Sequence, residues 1–269
     1  MQIGFEFYPQ ARKRALALSY DDGVVQDKRL IELFNEYGLK GTFHLNSGLM
    51  GQGERLAARE IRKVYEGHEV SAHTATHPRL DKMPLSLIAR EILDDRRALE
   101  DIVEYPVRGM SYPYGHCTAK IAEMLPGLGI EYARTVVSTR HFRPSEDFAR
   151  WHPTVHHNQD LMQVARAFFE QPPPSQSLLY VWGHSYEFDR QNTWSQIEQF
   201  CAFAAGRTDV WYASTREIVD YLNALASLKF SVNRDVVYNP TGLTLWIGVD
   251  FKPVIVEPGA TVRLTPLPA

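Results

Sequence analysis

Apolar residues along this chain recur in two alternating rhythms. Short runs rich in β-branched and aromatic residues read as strands: ALALSY (15–20), GTFHL (41–45), HEVSA (68–72), VRGMSY (107–112), IEYAR (130–134), SLLYVW (177–182) and DVWYA (209–213). Between most of them the spacing turns helical. The segment DKRLIELFNEYG puts Leu30, Leu33, Phe34 and Tyr37 on one face and closes at Gly38, a residue suited to ending a helix. A longer helix, predicted from about Pro84 to Val103, turns Ile88, Ile92, Leu99 and Ile102 toward a core. A third opens on Ser214, Thr215, Arg216 and Glu217, a capping-box pattern, and presents Ile218, Tyr221 and Leu222 inward. Strands separated by helices of this length imply right-handed crossovers and a mostly parallel sheet. About seven such units fit an incomplete or irregular barrel at least as well as an open doubly wound sheet.

After Ala226 the rhythm changes to SLKFSV, DVVY, LTLWIGVD and VRL, punctuated by Asn-Pro, Thr-Gly, Lys-Pro and Glu-Pro-Gly. Short strands with turn signals and no helix predict a small antiparallel β appendage over 227–269, beside a catalytic domain over 1–226. Residues 172–174, all proline, read as a stiff connector.

Composition narrows the function classes. At 269 residues, 44% hydrophobic and 23% charged, the chain reads as an ordinary globular protein. A formal charge of -3 with no basic stripe argues against a nucleic acid partner. The N-terminus shows no secretory pattern, and no window approaches 18 uninterrupted apolar residues, so a cytoplasmic, membrane-free location is expected. Cys117 and Cys201 stand far apart, outside metal-type spacing, and are expected as free thiols.

The chemistry-bearing residues fall where predicted strands end. Asp21 and Asp22 follow the first strand, HTATH (73–77) follows the third, SYPYG (111–115) ends the fourth, and His184 follows SLLYVWG. In parallel α/β folds that end of the sheet carries the active site. Two histidines four apart, His73 and His77, can aim imidazoles at one cation. Adding an aspartate leaves open positions for water and substrate, as a catalytic metal requires. Adjacent residues leaving a strand point in different directions, so one carboxylate of the doublet can bind the metal while its neighbour takes a proton from water. His184 suits protonation of a leaving group, with a carboxylate such as Glu187 to hold its tautomer.

With these residues in place, the chain resembles the polysaccharide deacetylases of carbohydrate esterase family 4, the NodB-homology domains. SYDDG is similar to their first motif and HTATH to their second. The resemblance spans roughly residues 11–225 and implies a distorted (β/α)7-type barrel, with Asp21 as base and Asp22, His73 and His77 as ligands of one divalent metal ion. Zinc is the expected metal, with cobalt, nickel and iron as alternatives. SYPYG resembles the third motif and points to the Tyr114 N–H as an oxyanion donor. The family's arginine before that motif is replaced by Ser111, with Arg108 the nearest arginine upstream. Arg150-Trp151 is the nearest match to the fourth motif, and VWGH is similar to the fifth, which ends in the general acid, here His184. Tyr112, Trp151, Trp182, Tyr186 and Trp194 are candidate sugar-binding aromatics.

The implied reaction removes an acetyl group from an N- or O-acetylated saccharide, with metal-activated water as nucleophile. Alternative readings are a related hydrolase acting on a non-sugar amide, cyclic imide or ureide, a 2-His-1-carboxylate iron oxygenase, and a non-catalytic sugar-binding protein.

Overall fold

The computed structural model describes residues 1–173 and 175–265; Pro174, the last residue of the expected connector, lies outside the described residues. The elements run β1 (Ile3–Gly4), β2 (Arg14–Asp21), α1 (Asp27–Glu36), β3 (Gly41–Leu45), α2 (Ala58–Val64), β4 (Glu69–Ala72), α3 (Leu85–Val103), β5 (Gly109–Ser111), α4 (Ala119–Met124), β6 (Tyr132–Arg134) and β7 (Val155–His156). They continue with α5 (Leu161–Glu170), β8 (Ser177–Gly183), α6 (Tyr186–Gln191), α7 (Trp194–Ala204), β9 (Val210–Tyr212) and α8 (Thr215–Ala226). The chain then turns to β10 (Lys229–Phe230), β11 (Val236–Tyr238), β12 (Leu245–Val249), β13 (Lys252–Val256) and β14 (Thr261–Arg263). All seven strands expected before Ala226 form, within a few residues of their predicted ends. β7, two residues long, has no alternation to reveal it.

Every pairing in the main sheet is parallel, in the order β6-β5-β4-β3-β2-β8-β7, with β9 joining the lower half of β2. The sheet curls until its edges approach. Trp151 pairs with Arg134 on the β6 edge, and four residues later β7 pairs with β8, so residues 151–156 bridge the opening. The fold is therefore a distorted (β/α)7-type barrel.

Alternation along β2 shows how the sequence makes both surfaces. Leu16, Leu18 and Tyr20 join the core under the helices, while Ala15 and Ala17 belong to a second cluster. Ser19 and Asp21, on the same face as these alanines, end in the barrel interior. Helix α1 buries Leu30 and Phe34, α3 buries Ile88, Ile92 and Leu99, and α8 carries the expected capping box. Burying each of these side chains contributes about 1.5–3 kcal/mol.

The interior is polar and internally bonded. Thr42 Oγ1 donates to Glu69 Oε2 at 3.0 Å, Tyr132 OH donates to Glu69 Oε1 at 2.7 Å, and His44 Nε2 lies 3.0 Å from Ser19 Oγ. Such a network is stable only when its members are paired, and it forms a rigid floor beneath the strand ends.

The appendage consists of two three-stranded antiparallel sheets, β10-β11-β14 and β1-β12-β13. The N-terminal strand β1 thus belongs with residues beyond 226. The same cluster that holds Tyr8, Tyr221 and Leu225 takes in Val237, Leu245, Ile247 and Val256, so the appendage is packed onto the barrel through a shared apolar layer. Among the described residues no helix is long and apolar enough to cross a membrane.

Candidate active site

A cleft of about 390 Å³ opens at the C-terminal ends of the strands, lined by Asp21, Asp22, His73, His77, Tyr112, Tyr114, Val136, Trp182, His184 and Tyr186. A larger cleft of about 790 Å³ lies elsewhere, between Phe5, Phe148 and Phe251. It contains none of the converging titratable groups and is not the chemical centre.

The doublet sits on a reversal of the backbone. Asp22 has φ 80° and Gly23 φ 64°, and a side chain at Gly23 would also press on Leu45. The Asp22 N–H donates to the His44 carbonyl at 2.9 Å, fixing the turn. Asp21 is left inside, 2% exposed, and Asp22 faces the cleft.

Asp21 is gripped on both oxygens. Ser111 Oγ donates to Oδ1 at 3.0 Å, and Arg134 Nη2 donates to Oδ2. Arg134 is fully buried, donates through Nε to Ser19 Oγ at 3.1 Å and through Nη1 to the Thr135 carbonyl at 3.0 Å, and lies 4.4 Å over the Trp182 ring. Burial alone raises the pKa of Asp21; Arg134, with His73, His44 and His184, outweighs it and holds the carboxyl well below the ordinary carboxylate range. Arg134 is the functional residue that linear reading misses. Its signal is a charged residue at the inner end of the apolar strand IEYAR. Arg108 does not take that role: it pairs with Glu131 and Asp220 at 2.7–2.9 Å.

Asp22, His73 and His77 bring one ligand atom each within 4.8 Å of one another. The loop that carries the histidines is bent, with Thr74 at φ 65° and His77 at φ 56°. It is tied down by Asn46 Nδ2, which donates to the carbonyls of His73 and Thr74, and by the buried Asp95, which accepts from the His73 N–H at 2.9 Å. His73 Nδ1 lies 2.9 Å from the Ser111 carbonyl, which can only accept, so in the neutral ring Nδ1 carries the proton and Nε2 is bare. Burial, then the neighbouring His73, pushes His77 down to about 4, leaving it neutral near pH 7. Neutral imidazoles with a carboxylate form the donor set a zinc-type cation accepts, and these residues fit one.

Across the cleft His184 Nδ1 lies 3.4 Å from Glu187 Oε1. Burial lowers its pKa, but Glu187, Asp21 and Asp22 outweigh burial and raise it above the ordinary histidine value. Glu187 also meets His156 Nε2 at 3.3 Å and His157 Nε2 at 2.8 Å; its contacts with His157 and His184 are close charge contacts outside hydrogen-bond angles.

The structure divides the aromatic candidates. Tyr112 lines the cleft while its hydroxyl donates to the Ala149 carbonyl at 2.7 Å. Tyr114, 59% exposed with φ 57°, stands 4.5 Å from the His77 ring. Tyr186 stacks on His184 at 5.1 Å, and Trp182 walls the cleft. Trp151 and Trp194 are corrections to the sequence expectation. Trp151, 1% exposed, packs on Tyr132, Phe148 and Tyr180 as it bridges the sheet edges. Trp194 packs on Phe188 and donates to Asp189 Oδ1 at 2.7 Å. Both are hydrophobic anchors, and the Arg150-Trp151 pair contributes no group to the cleft.

Comparison with known proteins finds a family match and structural relatives. Residues 9–133 match the family model for polysaccharide deacetylase. The chain is 29% identical over 118 residues to a peptidoglycan-N-acetylglucosamine deacetylase of Listeria monocytogenes, a match covering 43% of this chain and 25% of that protein. It is 27% identical over 132 residues to a chitin deacetylase of Pestalotiopsis, covering 49% of this chain and 44% of that protein. The chain thus spans less than half the length of either relative. A solved Mycobacterium smegmatis structure, provisionally assigned as a polysaccharide deacetylase, superposes with a TM-score of 0.65 over 81% of this chain and 93% of its own, at 17% identity. That likeness extends the shared fold past the matched segment. The segment that matches the polysaccharide deacetylase family model, residues 9–133, carries Asp21, Asp22, His73, His77 and the SYPYG turn.

Proposed function

We propose that this protein is a metal-dependent hydrolase that removes acetyl groups from an N- or O-acetylated saccharide, with water as the nucleophile. The observation that carries the reading is the convergence on one cleft of a clamped carboxylate, Asp21, a separate Asp22–His73–His77 donor set, and a carboxylate-supported His184. A base, a cation site and an acid occupy different residues, as a hydrolysis with proton transfer at both ends requires.

Asp22, His73 and His77 would hold the cation, which supplies Lewis acidity and brings the pKa of bound water toward neutrality. Asp21, ionised and held by Arg134 and Ser111, accepts the proton of the attacking water. The Tyr114 N–H, at the mouth of the cleft, donates to the oxygen that gains charge. His184, its pKa raised beside Glu187, gives its proton to the departing amine or alkoxide. Trp182, Tyr112 and Val136 form an apolar wall suited to a methyl group, and Tyr186 and Tyr114 offer flat faces to a sugar ring.

Acetate release by zinc-loaded and chelator-stripped protein tests the reading, using N-acetylglucosamine oligomers and O-acetylated xylo-oligomers. Zinc-dependent release from either substrate is expected. A zinc-binding protein inactive on both would favour the second reading, a non-sugar amide, cyclic imide or ureide. The observation that keeps that reading is the remodelled base clamp, with Ser111 where the family resemblance expects arginine.

A further inference from the structure

Ser111 and Arg134 are register partners on adjacent parallel strands, β5 and β6. The arginine that grips the base therefore comes from one strand further along, at the same level of the barrel, and the position it would otherwise fill holds a hydroxyl. That hydroxyl is fully buried between two functional groups. Ser111 Oγ is 3.0 Å from Asp21 Oδ1 and 2.6 Å from His73 Nδ1, and the Ser111 carbonyl is 2.9 Å from the same nitrogen.

The proton positions in this chain of contacts are forced. A carboxylate gripped by a guanidinium only accepts, so Ser111 Oγ–H donates to Asp21. Its oxygen is then free to accept from His73 Nδ1–H, which the Ser111 carbonyl also accepts. The proton therefore sits on Nδ1, and the bare Nε2 turns to the cleft. A guanidinium at position 111 could donate to Asp21, but it has no acceptor for His73. Only a residue that both donates and accepts can join the two groups.

We propose that Ser111 is a positioning residue that links the cation ligand His73 to the base Asp21, a link made possible by supplying the arginine from Arg134. The proposal rests on the reading of Asp22, His73 and His77 as a cation site. One side chain orients the imidazole and one oxygen of the base, while Arg134 takes the other oxygen. Cation affinity and turnover consequently fall together when the hydroxyl is removed.

Zinc affinity, measured by competition with a chromogenic chelator, tests this in the full chain and needs no substrate. It is paired with kcat and KM for acetate release at saturating zinc. Ser111→Ala is expected to bind zinc about tenfold more weakly, the low end for loss of a ligand's supporting contact because the carbonyl remains. Its kcat is expected to fall about tenfold through the loosened base, with KM within about twofold. Ser111→Thr, which keeps the hydroxyl, is expected to restore zinc affinity to within about threefold of wild type. Unchanged melting of the zinc-free alanine variant separates lost positioning from lost fold. Zinc affinity of Ser111→Ala within twofold of wild type overturns the link, as does weakened affinity with full kcat at saturating zinc. Failure of the wild-type chain to bind zinc overturns the cation site and this proposal with it; tight binding by both proteins overturns the link alone.

Discussion

Two clusters at the same end of the barrel hold the same residue types, two histidines and a carboxylate, with ligand atoms within 4.8 Å of one another. In the first, the Ser111 carbonyl places the His73 proton on Nδ1, and the bare Nε2 looks into the cleft beside Asp22 and His77. In the second, the Asn158 N–H donates to His156 Nδ1 at 3.2 Å, so the proton of a neutral His156 sits on Nε2, against Glu187. The Asn158 side chain donates to the same Glu187 oxygen at 3.3 Å. His157, pushed down to about 4 chiefly by burial, is wedged between the rings of Tyr20 and Phe188. The first cluster turns a bare nitrogen toward the cleft; in the second, both histidine Nε2 atoms lie against a carboxylate that also accepts from Asn158. Composition is equal, and the location of protons is what separates the cluster proposed to hold a cation from the one beside His184.

The sharpest way to break this comparison is to remove groups from each cluster and read cation binding and turnover separately. Asp21→Asn is expected to cut turnover by at least about 10³-fold while zinc stays bound at one per chain, since the base is lost and the donor set is intact. Near-normal turnover in that variant removes Asp21 as base. His73→Ala is expected to lose both zinc and activity, whereas the double variant His156→Ala, His157→Ala keeps one zinc per chain by elemental analysis. Two zinc ions in the wild-type chain, falling to one in the double variant, would erase the distinction between the clusters.

A smaller effect is expected at the hub of the second cluster. Glu187→Gln removes the charge that helps hold the His184 pKa above its ordinary value. The pKa then falls, His184 loses its proton at a lower pH, and the alkaline limb of the kcat profile moves downward, with kcat reduced about tenfold near neutrality. An unmoved alkaline limb would show that Glu187 does not support the acid. The smallest effect on turnover is expected at Trp194. Trp194→Ala costs about 3–5 kcal/mol of stability in chemical denaturation, yet leaves kcat and KM within about twofold at a temperature where the variant is folded. A raised KM there would return Trp194 to the cleft.

Most of the barrel was legible because its strands are buried on both faces and its helices on one, so the two hydrophobic periods stand apart in the chain. The residues at the strand ends were legible for a local reason: Asp21-Asp22-Gly23 and His73-to-His77 are short spacings whose chemistry does not depend on distant partners. Trp151 and Trp194 were misplaced because an aromatic side chain carries no mark of whether it faces a cleft or a core. Arg134 was passed over because 113 residues separate it from Asp21, and no local pattern connects two strand ends that meet only when the sheet curls. The N-terminal strand β1 is a similar case, being two residues long and paired with β12.

Residue order by itself determined the alternation of strand and helix, the end of the sheet where chemistry collects, and the identity of the doublet and the histidine pair. These follow from side-chain periodicity and from spacings of a few residues. Tertiary structure alone decided which arginine clamps Asp21, which of two His–His–carboxylate clusters lines the cleft, and which aromatics reach it. Those outcomes depend on where the closed barrel brings distant atoms within about 3 Å and on which nitrogen each new neighbour leaves without a proton.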